Sequence, residues 1–323
     1  MREARATEKV KKPGIIDTLS AGFDIVNRRP WILALPVLLD LLLWRGPQIS
    51  AQPFLQGTLN NYQAALASGD QLVAPSGQNI QSLTQMADAA VAGFNMLTLL
   101  VLNIASVPST MGSRPIDTTA IITVNNGVSF FLLLIILEIV GVLLSSVYYG
   151  AIAQQVRDGR VDFSRLFASL NWYVIHMFTL LLILIGVSLA FGVVLSLVVG
   201  AGALLGGLFL QAAVGVAGTV AYLLVVWALL FLFFAVDAIV VSEVDARRAI
   251  LNSALVVGKN FWPALALIFL VFLITSGMQI IWSTLGDSQL GVVAGILGNA
   301  YVASGLAAAS MLFYQSRLAG LEK

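Results

Sequence analysis

The sequence predicts an all-α, polytopic transmembrane helical bundle of six spans, with amphipathic helices on the cytoplasmic side and a helical outer insert. Three observations carry that prediction. First, 59% of the 323 residues are hydrophobic and only 10% charged, against about 25% charged in soluble globular proteins, and a soluble fold of this size has no room to hide so much apolar surface. Second, residues 177–236, 260–286 and 288–316 contain no Asp, Glu, Lys or Arg. Third, the basic residues stand in clusters between these apolar stretches.

Each element follows in chain order from the need for roughly 20 apolar residues to cross a core about 30 Å thick. Residues 1–29 read as a basic cytoplasmic N-terminus ending in an amphipathic helix, with Ile15, Leu19, Phe23 and Val26 on one face. Residues 30–46 form the first and shortest span. We expect it to be an uncleaved anchor, because Ile49-Ser50-Ala51 puts Ile where a signal-peptide cleavage site needs a small residue. Residues 47–127 form the outer insert, rich in amides (Gln48, Gln52, Gln56, Gln63, Gln71, Gln78, Gln81, Gln85), with helices predicted over 54–67 and 79–107. The second helix is very apolar from residue 89, yet a crossing there would place Arg157, Arg160 and Arg165 outside. It is therefore expected to lie on the outer surface or against the spans, where it could dock a membrane-protein partner.

Residues 128–150 form the second span, interrupted only by Glu138. Residues 151–171 form an inner loop whose Phe163, Leu166, Phe167 and Leu170 share a helix face. The third and fourth spans occupy 172–200 and 212–236, joined by a turn in the Gly-rich stretch 200–207. Residues 237–260 form an amphipathic inner loop with Ile250, Ala254 and Val257 aligned, a row that Phe261 continues. The fifth and sixth spans occupy 261–283 and 289–315, and 316–323 is a cytoplasmic tail. Pro263 opens the fifth span, where its missing N–H costs nothing.

Orientation follows from the retention of basic residues on the cytoplasmic side. With the N-terminus inside, all but Arg45 and Arg114 of the 17 basic residues are inside. The expected setting is a bacterial cell (inner) membrane with both termini cytoplasmic and membrane lipids as partners. Trp31, Trp172 and Trp262 open spans at the inner face, and Trp44 and Trp282 close spans at the outer face. A short amphipathic segment precedes each of the first three tryptophans, which suggests a three-unit repeat of interfacial helix, outward span and returning span.

The stretch Ala249-Ile250-Leu251-Asn252-Ser253, followed by Lys259-Asn260-Phe261 and a span, resembles bacterial six-span membrane proteins related to the membrane domain of glycerophosphoryl diester phosphodiesterases. The likeness covers about 15–44 and 128–317, and the outer insert departs from it. The resemblance implies the six-helix architecture. It implies no phosphodiesterase activity, which in that family belongs to a separate soluble domain that this sequence does not contain.

The absence of cysteine excludes disulfides, thiolate metal sites and Cys nucleophiles, and the single histidine, His176, excludes a multi-histidine metal cluster. No Gly-x-Ser-x-Gly, His-Glu-x-x-His or P-loop pattern occurs. His176 suits an interfacial hydrogen bond better than a general base. Ala303-Ser304-Gly305 lacks the leading Gly and the partner His of an intramembrane serine protease. No cofactor and no nucleic acid are expected.

Asp40 and Glu138 are the carboxylates placed well inside spans, at about 16 Å above Arg29 and about 18 Å above Gly150 by helical rise. Glu138, Gly141, Ser145 and Tyr149 fall on one helix face. Two readings stay open: a proton or cation site shared by Asp40, Glu138, Ser145 and Tyr149, or local hydrogen bonding of each carboxyl, with Arg45 reaching toward Asp40. Gly192, Ser196 and Gly200 step by four, as do Gly202 and Gly206, and Gly291 and Gly295. Such spacing lets helices approach closely, and packing within the chain is favoured over a dimer interface.

The expected function is that of a non-catalytic scaffold or assembly component of a membrane system. The alternative is a transporter or lipid-handling protein using the Asp40 and Glu138 region. Against transport, no pair of spans shows Gly or Pro breaks flanking a polar midplane site.

Overall fold

The structure is a computed structural model that describes residues 13–68, 94–103, 105–111, 121–204, 207–286 and 288–321. It is all-α apart from one small two-stranded sheet. Among the described residues five helices are long and apolar enough to cross a membrane, which makes the chain a membrane protein.

Helix α1 (Ile15–Arg28) ends where Pro30 forces Arg29 out of the helical region. A 3-10 turn (Pro30–Leu33) leads into α2 (Ala34–Arg45). At 12 residues, α2 is shorter than a full crossing. The predicted interfacial placement of α1 is corrected: its apolar face packs along the last helix, α10 (Gln289–Leu318), and buries Leu19, Gly22 and Val26 there. Gly22 sits so close to Gly305 and Ala309 that an added Cβ would lie 2.5 Å from the Gly305 carbonyl oxygen. The two helices run antiparallel, since Arg317 Nη2 donates to the Pro13 carbonyl at 3.2 Å while Tyr301 donates to Asn27 Oδ1 at 3.0 Å. Residues 13 and 317 therefore lie at one end of the bundle.

The insert begins with strand β1 (Gln48–Ser50), which pairs in parallel with β2 (Ile121–Thr123), and helix α3 (Gln52–Ser68) follows β1. Helix α3 bears out the first predicted insert helix. The second is corrected over its described part. Residues 94–103 and 105–111 are a 3-10 turn (Met96–Leu100) and irregular chain, not a helix. Met96, Val101, Ala105 and Val107 are buried, so these apolar side chains of the segment pack inside the protein. Non-helical backbone at membrane depth is tolerated in that situation alone, or along a water-filled cavity. Asn95 Oδ1 pins the segment by accepting the backbone N–H groups of Ile49 and Leu97.

Helix α4 (Gly127–Asp158) and helix α5 (Phe163–Leu204) replace the predicted inner loop of 151–171 by a turn of four residues, 159–162. Gly159 closes α4 in the left-handed conformation at φ 67°. Helix α6 (Gly207–Leu232) returns against α5, and residues 205–206, inside the predicted Gly-rich turn, lie outside the described residues. The predicted fourth span is a candidate crossing over Val214–Ser242 with a break inside it: α6 stops at Leu232 and α7 (Ala235–Ser242) begins three residues later. Helix α8 (Ala246–Lys259) packs on α7 and α6, and α9 (Phe261–Leu285) and α10 form the closing hairpin.

At the basic end α7 and α10 pack on α4, α1 packs on α10, and α8 packs on α7. Glu243, between α7 and α8, holds this end together. Its carboxylate pairs with Arg157 at 2.7 Å and with Arg165 at 3.7 Å, and accepts the Tyr173 hydroxyl at 3.2 Å. The opposite halves of α5 and α6 project with their apolar side chains exposed.

Candidate functional site

Of the predicted polar site, the structure explains three residues as packing and separates the carboxylates. Asp40 is 1% exposed. Its carboxylate accepts the backbone N–H groups of Thr110 (3.0 Å) and Met111 (3.2 Å), the Thr110 hydroxyl (3.1 Å) and the Ser109 hydroxyl. Every one of these donors comes from the insert. Arg45 does not reach Asp40; its guanidinium lies 4.1 Å over the Trp44 ring. Glu138 is half-buried and accepts no hydrogen bond among the described residues, and it is absent from the Asp40 cradle.

The stripe on α4 docks the same insert. A Cβ on Gly141 would lie 2.8 Å from the Leu99 carbonyl oxygen. Ser145 donates to Asn103 Oδ1 at 3.0 Å, and Tyr149 donates to the Ser106 carbonyl at 3.1 Å. Glycine, hydroxyl and phenol thus meet three successive stations of residues 99–106. His176 accepts the interfacial role: its Nδ1 lies 2.8 Å from the Trp172 carbonyl and its ring stacks on Trp172.

The glycine predictions divide. Gly291 and Gly295 sit in the α9–α10 hairpin, where Gly291 is crowded by the Leu285 carbonyl and Gly295 rests on Trp282. Packing within the chain is corrected for Gly192 and Gly200, which meet nothing within 4 Å. Ser196 only donates to Val193 of its own helix. The side-chain surroundings of Gly202 and the placement of Gly206 lie outside what is described.

The site that sequence reasoning missed is centred on Asp237. Its placement in the inner loop is corrected: it stands in the first turn of α7, inside a stretch, Val214–Ser242, long and apolar enough to cross a membrane, and is 4% exposed. The break before it contains neither Gly nor Pro. It is held by Ser253, whose hydroxyl donates to the Phe231 carbonyl at 2.6 Å and accepts the Phe234 N–H at 3.1 Å. Those are the backbone groups that a helix interruption leaves without partners. The Ala249 to Ser253 motif therefore has a structural role: Ala249 is fully buried, letting α8 approach, and Ser253 closes the break.

Asp237 accepts one hydrogen bond, from the Ser310 hydroxyl of α10. It faces a cleft of about 380 Å³ whose polar walls include Ser106, Ser109, Tyr149, Thr275, Asn299 and Ser310. The cleft exists because α9 leans on α10 and α8 and stands away from α4. A second cavity of about 630 Å³ shares Ser106, Ser109, Thr275 and Gln279 with it and continues to Ser283. Thr275, Gln279 and Ser283 step by four along one face of α9, so one polar row runs through both cavities. Ser109 joins the two centres: it lines the cleft and donates to Asp40. The row on α9, and the run of Asn299 and Ser310 on α10, were visible in the sequence as polar residues inside apolar spans. No group of three or more His, Cys, Asp or Glu side chains capable of holding a metal occurs among the described residues.

No family model, curated protein or solved structure matches this chain.

Proposed function

We propose that this protein is a non-catalytic membrane protein that admits a small polar molecule, or the polar group of an amphiphile, to the Asp237 cleft: the transport or lipid-handling reading, moved from the Asp40 and Glu138 region to α7. The observation that carries it is a nine-tenths-buried carboxylate beside a broken helix, facing a cavity lined by hydroxyls and amides. A charged side chain at membrane depth is costly and faces a polar interior where it persists. Interrupted helices that border a cavity are the usual way a helical membrane protein builds a binding site. The cleft volume falls in the range of small-molecule pockets.

The expected setting remains the cell (inner) membrane, with the basic end and both termini cytoplasmic. The clustering of Arg157, Arg165 and Arg317 at the end where residues 13 and 317 meet supports it. The scaffold reading draws its support from the exposed apolar surface of the α5–α6 hairpin, where Gly192 and Gly200 meet nothing in the chain.

Native mass spectrometry of the full chain, released from a mild detergent, tests the cleft reading. The wild type should carry a bound small molecule or lipid that Ala303→Trp, which fills the cleft wall, loses while keeping its helical circular dichroism. Equal retention by both proteins would overturn the reading.

A further inference from the structure

Resting on that reading, we infer that the ligand of the Asp237 cleft is an organic cation bearing an ammonium group, and that it exchanges with a proton on the Asp237 carboxylate. The argument begins with charge. Among the described residues that line the cleft there is one carboxylate and no Lys, Arg or His. Among the described residues an ionised Asp237 has no counter-charge there, and its hydrogen-bond partner is the Ser310 hydroxyl. A buried carboxylate in that position is neutralised either by a proton or by a cation. An anionic ligand would meet no basic group and one acidic one.

The remaining walls select among cations. A bare divalent or alkali ion needs several oxygen ligands converging at about 2–2.6 Å, whereas this cleft of about 380 Å³ spreads its side-chain oxygens over α4, α7, α9, α10 and the insert. Tyr149 and Phe233 add aromatic surface, which favours an alkylated ammonium. The neutral acceptors on Thr275 and Asn299 suit the N–H groups of a primary amine. The adjoining cavity of about 630 Å³ mixes Val101, Leu102, Val107 and Ile280 with the α9 hydroxyls, giving room for an attached chain.

The groups facing Asp237 settle which side chain takes the proton. Helix α4 presents Tyr149, α9 presents Thr275 and Gln279, α10 presents Asn299 and Ser310, and the insert presents Ser106 and Ser109. Tyr149 is the one other titratable group in the wall among the described residues, and its hydroxyl is held by the Ser106 carbonyl. Asp40 lies behind Ser109, already held by four donors. Cation and proton therefore compete for a single carboxylate: the ammonium enters as the proton leaves, and charge balances.

The test is calorimetric titration of the full chain in dodecyl maltoside with tetramethylammonium and with dodecyltrimethylammonium, against dodecyl sulfate. The expected result is saturable binding of an ammonium probe and none of the sulfate. Affinity should fall about tenfold for each pH unit below the titration of the carboxyl, as one-proton competition requires. Asp237→Asn should weaken binding at least about tenfold, a change of 1.4 kcal/mol or more. The pH series uses the wild type, so it decides the matter even if that variant fails to fold. Binding of both ammonium probes assigns a free amine, and binding of the long-chain probe alone assigns an amphiphile. Sulfate binding as tight as the cation, or ammonium binding that ignores both pH and Asp237→Asn, would overturn the inference. If neither ammonium probe binds while the wild type still carries a molecule that Ala303→Trp loses, the ligand class is wrong and the cleft stands.

Discussion

The Asp40 carboxylate accepts the backbone N–H of Thr110 at 3.0 Å, so a side chain on the first span closes a loop that returns 70 residues later. Two donors meet each carboxylate oxygen: Ser109 and Met111 on Oδ1, and the amide and hydroxyl of Thr110 on Oδ2. The insert is therefore anchored twice, at Asp40 on α2 and along Gly141, Ser145 and Tyr149 on α4, and in that position it forms one wall of the Asp237 cleft.

Asp40→Asn leaves one acceptor oxygen and turns an NH₂ group toward two donors. The expected cost is about 2–4 kcal/mol, because hydrogen bonds to a buried charge are stronger than neutral ones and unsatisfied partners keep their desolvation penalty. Unfolding in mixed micelles measures the loss. Amide exchange at Thr110 and Met111 should accelerate with it, and unchanged protection there would show that the carboxylate does not hold the loop.

Gly22 and Gly192 make a matched pair. Gly22→Ala would place a Cβ 2.5 Å from the Gly305 carbonyl oxygen and 2.6 Å from the Ala309 nitrogen, both backbone atoms. Overpacking of this kind costs about 1–3 kcal/mol. Gly192→Ala meets nothing within 4 Å and should gain about 0.5–1 kcal/mol from helix propensity. Opposite signs in thermal unfolding are expected, and a loss at Gly192 would reveal a neighbour from another molecule.

Glu243 adopts φ 51°, the left-handed region, between α7 and α8. Both Glu243→Ala and Glu243→Gly remove the pairs with Arg157 and Arg165. Only glycine also relieves the backbone, so it should be the more stable of the two by about 1 kcal/mol. Denaturation of the two variants side by side checks the order, and an alanine variant as stable as the glycine one would refute the strain.

Ser253→Ala strips the break between α6 and α7 of its donor and acceptor together. A buried Phe234 N–H left without a partner costs about 1–3 kcal/mol. Exchange at that amide and the melting temperature should both report it, and Ser253→Thr, which keeps the hydroxyl, should recover most of the loss.

Composition and charge spacing determined that this chain is a helical membrane bundle, because oil tolerates few ionised groups and lets the backbone satisfy itself only within regular segments. The α9–α10 hairpin and the helix of 52–68 were legible for the same local reason. Tertiary structure alone decided what each polar residue inside the spans is for. Gly141, Ser145 and Tyr149 read as a site because helical periodicity puts them on one face, yet periodicity does not say what that face touches. Asp237 read as loop because charge ended the apolar run there, and the break that buries it depends on Ser253, 19 residues further along the chain from Phe234. A sequence fixes which groups must avoid lipid; only packing at a distance decides whether they avoid it against the protein's own backbone or around a space left for something else.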